Sequence, residues 1–117
     1  MKFPRPVLAL LLACASLTAP AQTPDTPPAA YTRTEDVVYG RKFGTALTLD
    51  IFQPKTNHNG FAIIHVVSGG WISSHGSIYP NTFQVFLDRG YTVFAVVHGS
   101  QPKFTLAEIV PDLHRAV

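Results

Sequence analysis

The residues in this chain best placed to do chemistry are Ser68, Gly69, Gly70 and Trp71, which follow an apolar run and open a polar loop. Paired glycines at such a point let the backbone turn sharply and come close to a bound group. Backbone N–H groups freed by the turn can then face a developing negative charge, which is what an oxyanion hole requires. The same residues also suit a plain tight turn between a strand and a helix, because glycine marks turns of every kind. His98-Gly99-Ser100 and the pair His75 and Ser77 add imidazole and hydroxyl groups. A serine nucleophile needs a base within hydrogen-bond reach and a third group to orient that base. The sequence places no acid for that task, so turn chemistry and loop polarity account for these residues more economically than a catalytic pair does.

The histidines His58, His65, His75, His98 and His114 are widely separated, with no H-x₃-H pair. Zinc sites announce themselves with tighter spacing or with cysteines, so neither a metal nor a cofactor is expected. His65, inside a strand, reads as a core or face residue with a hydrogen-bond partner. Trp71 has two compatible readings: it walls a pocket, or it packs over a sheet.

These residues need elements to hold them. Glu35 to Tyr39 reads as a short strand ending at Gly40, with Gly44 in the turn that follows. Leu47-Thr48-Leu49-Asp50-Ile51 alternates with period two, the pattern of a strand with one buried face, stopped by Pro54. The short connection makes these two an antiparallel hairpin. Phe61 to Val67 and Tyr91 to Val97 are continuous apolar runs, as in parallel strands covered on both faces. Between them Asn81 to Arg89 reads as a helix, with Phe83, Phe86 and Leu87 on one face and Gly90 at its end. The order strand, loop, helix, strand is a βαβ unit. Thr105-Leu106-Ala107-Glu108 fits a capping box. Pro111 is poorly tolerated inside a helix, so the helix proper is expected to start near Val110, after a tighter turn over Thr105 to Ile109. Leu113, Ala116 and Val117 are then expected to face the sheet.

Taken in order, Asp50-Ile51-Phe52-Gln53-Pro54, the run Phe61 to Val67, Gly69-Gly70-Trp71 and Gly90-Tyr91-Thr92-Val93-Phe94-Ala95-Val96 resemble the opening half of an α/β-hydrolase. The resemblance is to the esterase and lipase group with an HGGGW loop, including feruloyl-esterase-like and acetyl-xylan-esterase-like members. Asp112 to Val117 resembles the start of the helix that precedes the nucleophile strand there. The likeness runs from about Glu35 to Val117. It implies a partial α/β-hydrolase fold: an N-terminal antiparallel hairpin, a βαβ unit and the start of a further helix. It also implies hydrolysis of a small-molecule carboxylic ester by a serine nucleophile. Gly69, Gly70 and Trp71 would hold the oxyanion, and Ser68, His98 and Ser100 would line the cleft. Val67 stands where the group carries its loop histidine, and Ser68 where it carries the first glycine. The Ser68 hydroxyl is a candidate to replace the brace that the histidine supplies.

No G-x-S-x-G occurs in the sequence. In the resembled group the nucleophile sits in that elbow, with the acid and histidine later in the chain. Removing triad members costs several orders of magnitude in rate. These 117 residues are therefore expected to include no catalytic triad member and to be inactive alone. The chain ends at Val117 within a helix pattern, with no glycine, asparagine or polar tail, and this suggests truncation.

The first residues read as an address. Lys2 and Arg5 precede the apolar run Val7 to Leu17, and Ala19-Pro20-Ala21 offers the small residues of a cleavage site. Residues 1–21 are expected to be a secretory signal peptide, too short to span a membrane, and the product secreted or periplasmic. Leu11-Leu12-Ala13-Cys14 resembles a lipobox, so Cys14 is a candidate lipid anchor if cleavage falls there instead. Residues 22–30, rich in Pro, Thr and Ala, form a linker, and residues 31–117 the hydrolase-like portion.

Removing Lys2 and Arg5 from nine basic residues leaves seven, equal to the seven acidic ones. A neutral chain argues against nucleic acid, which needs a basic face. With Cys14 gone no cysteine remains, so the fold must rest on a hydrophobic core. The rival expectation is a small secreted binding module derived from a hydrolase fold. Its apolar strand would lie at a sheet edge, so it would need self-association or a second polypeptide to cover that strand.

Overall fold

A computed structural model describes residues 29–117. The expected signal peptide, Cys14 and most of the expected linker lie outside the described residues. The elements run β1 (Tyr31–Lys42), β2 (Thr45–Pro54), β3 (Ala62–Val67), two single 3₁₀ turns at His75–Ser77 and Pro80–Thr82, α1 (Gln84–Leu87), β4 (Thr92–Val97) and α2 (Leu106–Arg115). The four strands form one mixed sheet in the order β1-β2-β4-β3. The β1–β2 and β2–β4 pairs are antiparallel, while β3 and β4 are parallel neighbours. The hairpin and the strand, loop, helix, strand unit are both present.

The hairpin closes on Phe43 and Gly44, both left-handed at φ 49° and 70°. A two-residue connection with two positive φ angles matches the twist of antiparallel strands. The first strand is far longer than Glu35 to Tyr39. It passes through Gly40 because register shifts between Thr34 and Val37, and between Val38 and Gly40, absorb the residues that break the alternation. The second strand also departs from expectation, because both its faces are covered. Leu47 and Leu49 are buried on one side, Asp50 and Phe52 on the other.

Strand β4 lies inside the sheet, with Val93, Ala95 and Val96 fully buried. Strand β3 was expected to be covered on both faces and is not. The topology puts it at the sheet edge, leaving Ile64 and Val66 exposed at 38% and 41%. Only its other face packs, where Val67 joins Phe52, Phe83, Leu87, Val93 and Ala95 in the larger core.

The helix expected over 81–89 is reduced to one 3₁₀ turn and one turn of α1. Its apolar face is nonetheless as the spacing implies, with Phe83 and Leu87 buried and Phe86 packed beside them. Gly90 follows at φ 86°, where the Asn57 backbone leaves no room for a side chain.

The last helix corrects two expectations. It starts at Leu106, not near Val110, and runs through Pro111. The capping box decides the start: the Thr105 N–H and hydroxyl both donate to the Glu108 carboxylate, at 2.8 and 2.9 Å. Those bonds, with the Glu108 and Ile109 N–H groups on the Thr105 carbonyl, anchor the first turn at Thr105, which outweighs the one bond that Pro111 cannot make. The buried face carries Ile109 and Asp112, with Leu113 packed against Leu47 and Phe104, while Val117 is 90% exposed and does not face the sheet. Lys42 pairs with the buried Asp112 at 3.2 Å and ties α2 to β1. Beside them the Tyr39 hydroxyl donates to the Val97 carbonyl at 3.0 Å. No helix among the described residues is long and apolar enough to cross a membrane.

Candidate functional site

The chain leaves β3 at Val67 and reverses at once. Gly69 and Ile72 exchange two backbone hydrogen bonds, N–H to carbonyl, at 2.9 and 3.1 Å. Gly70 and Trp71 form the corner, both left-handed at φ 59° and 64°. A tryptophan there bears a conformational cost of about 1–2 kcal/mol, and strained backbone of this kind gathers at functional sites. The Gly69 N–H is engaged by Ile72. The N–H groups of Gly70 and Trp71 have no acceptor among the described residues. Two successive free N–H groups in a turn form a natural concavity for an anion.

A second loop, residues 98–101 at the end of β4, grips this turn. The Gln101 N–H donates to the Trp71 carbonyl at 3.3 Å. The Ser73 hydroxyl donates to the Val67 carbonyl in a short bond and accepts from the His98 N–H at 3.2 Å. Ser73 and Ser100 exchange two further bonds. His98, 3% exposed, has Nδ1 2.7 Å from the Gly99 carbonyl and Nε2 2.9 Å from the Ser68 hydroxyl. A carbonyl only accepts, so Nδ1 carries a hydrogen, and in the tautomer with its hydrogen there Nε2 accepts from the Ser68 hydroxyl.

The residues singled out in the sequence are therefore near one another but do different things. Ser68 lines a groove of about 500 Å³ with Val66, Ile72, Ser77 and Tyr79. His98 and Ser100 line another of about 480 Å³ with Thr48, His75 and Phe104. The Ser68–His98 bond joins the two. Trp71 is 41% exposed, its ring centre 6.4 Å from that of His98, so it flanks the site and packs only in part. Ser77 bonds to Ser74 at 3.0 Å. His65 has no hydrogen-bond partner among the described side chains. Its ring packs tilted against that of Phe83, with centres 5.1 Å apart, and burial pushes its pKa below the ordinary value. Ser73, the centre of the grip, was missed in the sequence, where Ser73-Ser74 looks like ordinary loop composition.

A further cluster was also missed. Asp36, Asp50 and His75 bring one ligand atom each within 4.8 Å of one another. Asp50 is fully buried, but its carboxylate accepts from the Arg33 guanidinium at 2.5 and 2.9 Å and from the Asp36 N–H at 3.1 Å. His75 Nε2 lies 2.7 Å from the Thr48 hydroxyl. The buried charge is matched by Arg33, so a cation entering here would have to compete with a guanidinium already in place.

No family model and no curated protein matches the sequence. Solved structures do match the shape. Esterase B from Lactobacillus rhamnosis (HN001) superposes with a TM-score of 0.61 at 18% identity, over 76% of this chain and 29% of that one. A bacterial heroin esterase superposes with a TM-score of 0.62 at 19% identity, over 80% of this chain and 30% of that one. The chain carries part of the α/β-hydrolase fold. It spans less than a third of either esterase's length, and at these identities the likeness speaks to fold alone. Within the α/β-hydrolase fold, ligands bind outside the carboxyl ends of the strands, and the gripped turn lies at the carboxyl ends of β3 and β4.

Proposed function

We propose that residues 31–117 are the opening portion of a secreted serine carboxylesterase and contribute its oxyanion loop. The observation that carries this reading is the pair of unengaged N–H groups on Gly70 and Trp71, held in a fixed turn at the end of β3. They are the donors for the tetrahedral oxyanion formed when a serine hydroxyl adds to an ester carbonyl. Gly69 shapes the turn, because its own N–H is taken. The nucleophile, acid and general-base histidine belong to residues beyond Val117, and Ser68, His98 and Ser100 support the cleft. The substrate is a small carboxylic ester, whose acyl group passes to the serine as the alcohol leaves with a proton, and then to water, which releases the carboxylic acid and restores the serine hydroxyl. Export follows cleavage after Ala21.

The sheet edge supports this over a free-standing binding module. Phe61, Ile64 and Val66 are exposed at 68%, 38% and 41% along or beside β3, and an open apolar edge recruits other chains. A following strand of the same polypeptide is the economical cover.

The test compares p-nitrophenyl acetate hydrolysis by this chain with that of a product extended through the reading frame downstream of Val117. The proposal expects a buffer-level rate from the first. From the second it expects turnover blocked by a serine-directed inhibitor, together with a G-x-S-x-G in the added residues. Inhibitor-sensitive turnover by the 117 residues alone would show that the nucleophile is already among them. An extended chain that folds and hydrolyses no ester would sink the reading.

A further inference from the structure

We infer that Ser68 and His98 are a positioning pair that sets the direction of the Gly70 and Trp71 N–H groups, an inference that rests on the oxyanion reading of that turn. The turn has two limbs. The downstream limb is tied by backbone and serine bonds: Gln101 to the Trp71 carbonyl, and Ser100 to both backbone groups of Ser73. On the upstream limb, the Ser73 hydroxyl holds the Val67 carbonyl at the root and accepts from the His98 N–H, and between that root and the corner the side chain that reaches the 98–101 loop is that of Ser68, through the 2.9 Å bond to His98 Nε2. A turn whose upstream limb is held only at its root, Val67, rocks at the corner, and its donors sweep. Fixed on both limbs, they keep one direction, which is the condition for stabilising charge without reorganisation.

The chemistry of the pair suits holding rather than transfer. His98 is buried, and each ring nitrogen has one partner, Gly99 on one side and Ser68 on the other. The Gly99 carbonyl fixes the tautomer, and the tautomer makes Nε2 an acceptor that only a donor at the position of Ser68 can satisfy. A glycine at position 68 would leave that nitrogen buried and unpaired. With Val67 and Ser68 in place of the histidine and glycine of the resembled loop, the imidazole comes from the neighbouring strand end and the hydroxyl from the loop.

Amide hydrogen exchange and ¹⁵N spectroscopy on the full chain test this. Ser68→Ala is expected to speed exchange of the Gly69 and Ile72 amide protons about fivefold, the loss of one hydrogen bond, with the β4 amides Val93 to Val97 unchanged. Ser68→Thr, which keeps the hydroxyl, restores the slow rate. In the unsubstituted chain the ¹⁵N shifts of His98 report hydrogen on Nδ1 and none on Nε2. Unchanged turn amides in Ser68→Ala, or a Thr variant that stays fast, would overturn the inference. If Ser68→Ala speeds every amide, the tautomer decides, and hydrogen on Nε2 would overturn it. Failure to find ester hydrolysis counts against the oxyanion reading and leaves these exchange results standing.

Discussion

Ser73 and Ser100 hold each other by two hydrogen bonds: the Ser73 N–H donates to the Ser100 hydroxyl at 2.9 Å, and that hydroxyl donates on to the Ser73 carbonyl at 3.0 Å. One side chain thus satisfies both backbone groups of a residue 27 positions away. The loops after β3 and β4 are joined here by side chain to backbone contact, where a parallel pair of strands has run out of ladder.

Ser100→Ala removes both bonds and leaves two partly buried backbone groups of Ser73 without that partner. The expected loss is about 1–2 kcal/mol, read from the urea midpoint followed by circular dichroism. An unmoved midpoint would mean that backbone contacts alone hold the two loops.

Gly70→Ala and Gly69→Ala separate backbone strain from crowding. An added Cβ meets nothing within 4 Å at either position, but only Gly70 is left-handed. The Gly70 variant should lose about 1 kcal/mol, and the Gly69 variant less than about 0.5 kcal/mol. Equal losses on thermal unfolding would contradict the left-handed corner.

Tyr39 should make the fold sensitive to alkali. Burial first, and the Asp112 charge second, push its pKa up from 10.0 to about 12. The folded chain therefore holds this proton more tightly than the unfolded chain. Its contribution is intact below pH 10 and is lost as the pH rises from 10 towards about 12. Tyr39→Phe should be less stable near neutrality, having lost the bond to Val97, yet flatter across that alkaline window. A slope equally steep in the variant would assign the effect to other groups.

At the acid end His65 acts in the opposite sense. Burial against Phe83 lowers its pKa from 6.5, so the unfolded chain takes up this proton first as the pH falls. Stability from this group is present above pH 6.5 and declines below it. His65→Phe keeps a ring for Phe83 and removes the titration. Its denaturant midpoint should fall less between neutrality and pH 5 than that of the unsubstituted chain. Parallel declines would clear His65.

Much of the architecture was legible because it is written locally. The alternation over Leu47 to Ile51, the apolar runs ending at Val67 and Val97, the Phe83/Leu87 spacing and the Thr105/Glu108 pair each name an element within a few residues. What failed was of another kind. The bulges that carry β1 through Asp36 and Gly40 depend on the partner strand, which no window of β1 contains. The open face of Ile64 and Val66 depends on sheet order, and an apolar run does not say what covers it. The site divides the same way. Gly69-Gly70-Trp71 is a local turn signal, whereas the grip of Ser73, the Ser68–His98 bond and the Arg33–Asp50 pair join residues 17 to 30 positions apart with no spacing rule behind them.

Trp71 is the only indole in the 117 residues, and it stands on the corner of the turn, 41% exposed. Light absorbed at the red edge of the protein spectrum is therefore absorbed, and re-emitted, at one address. The emission colour reports how wet that corner is. The anisotropy reports how freely it rocks, and a soluble quencher reports how easily a small molecule reaches it. Filling the neighbouring groove, or docking a further stretch of chain over β3, would be recorded by a fluorophore that needs no attachment chemistry.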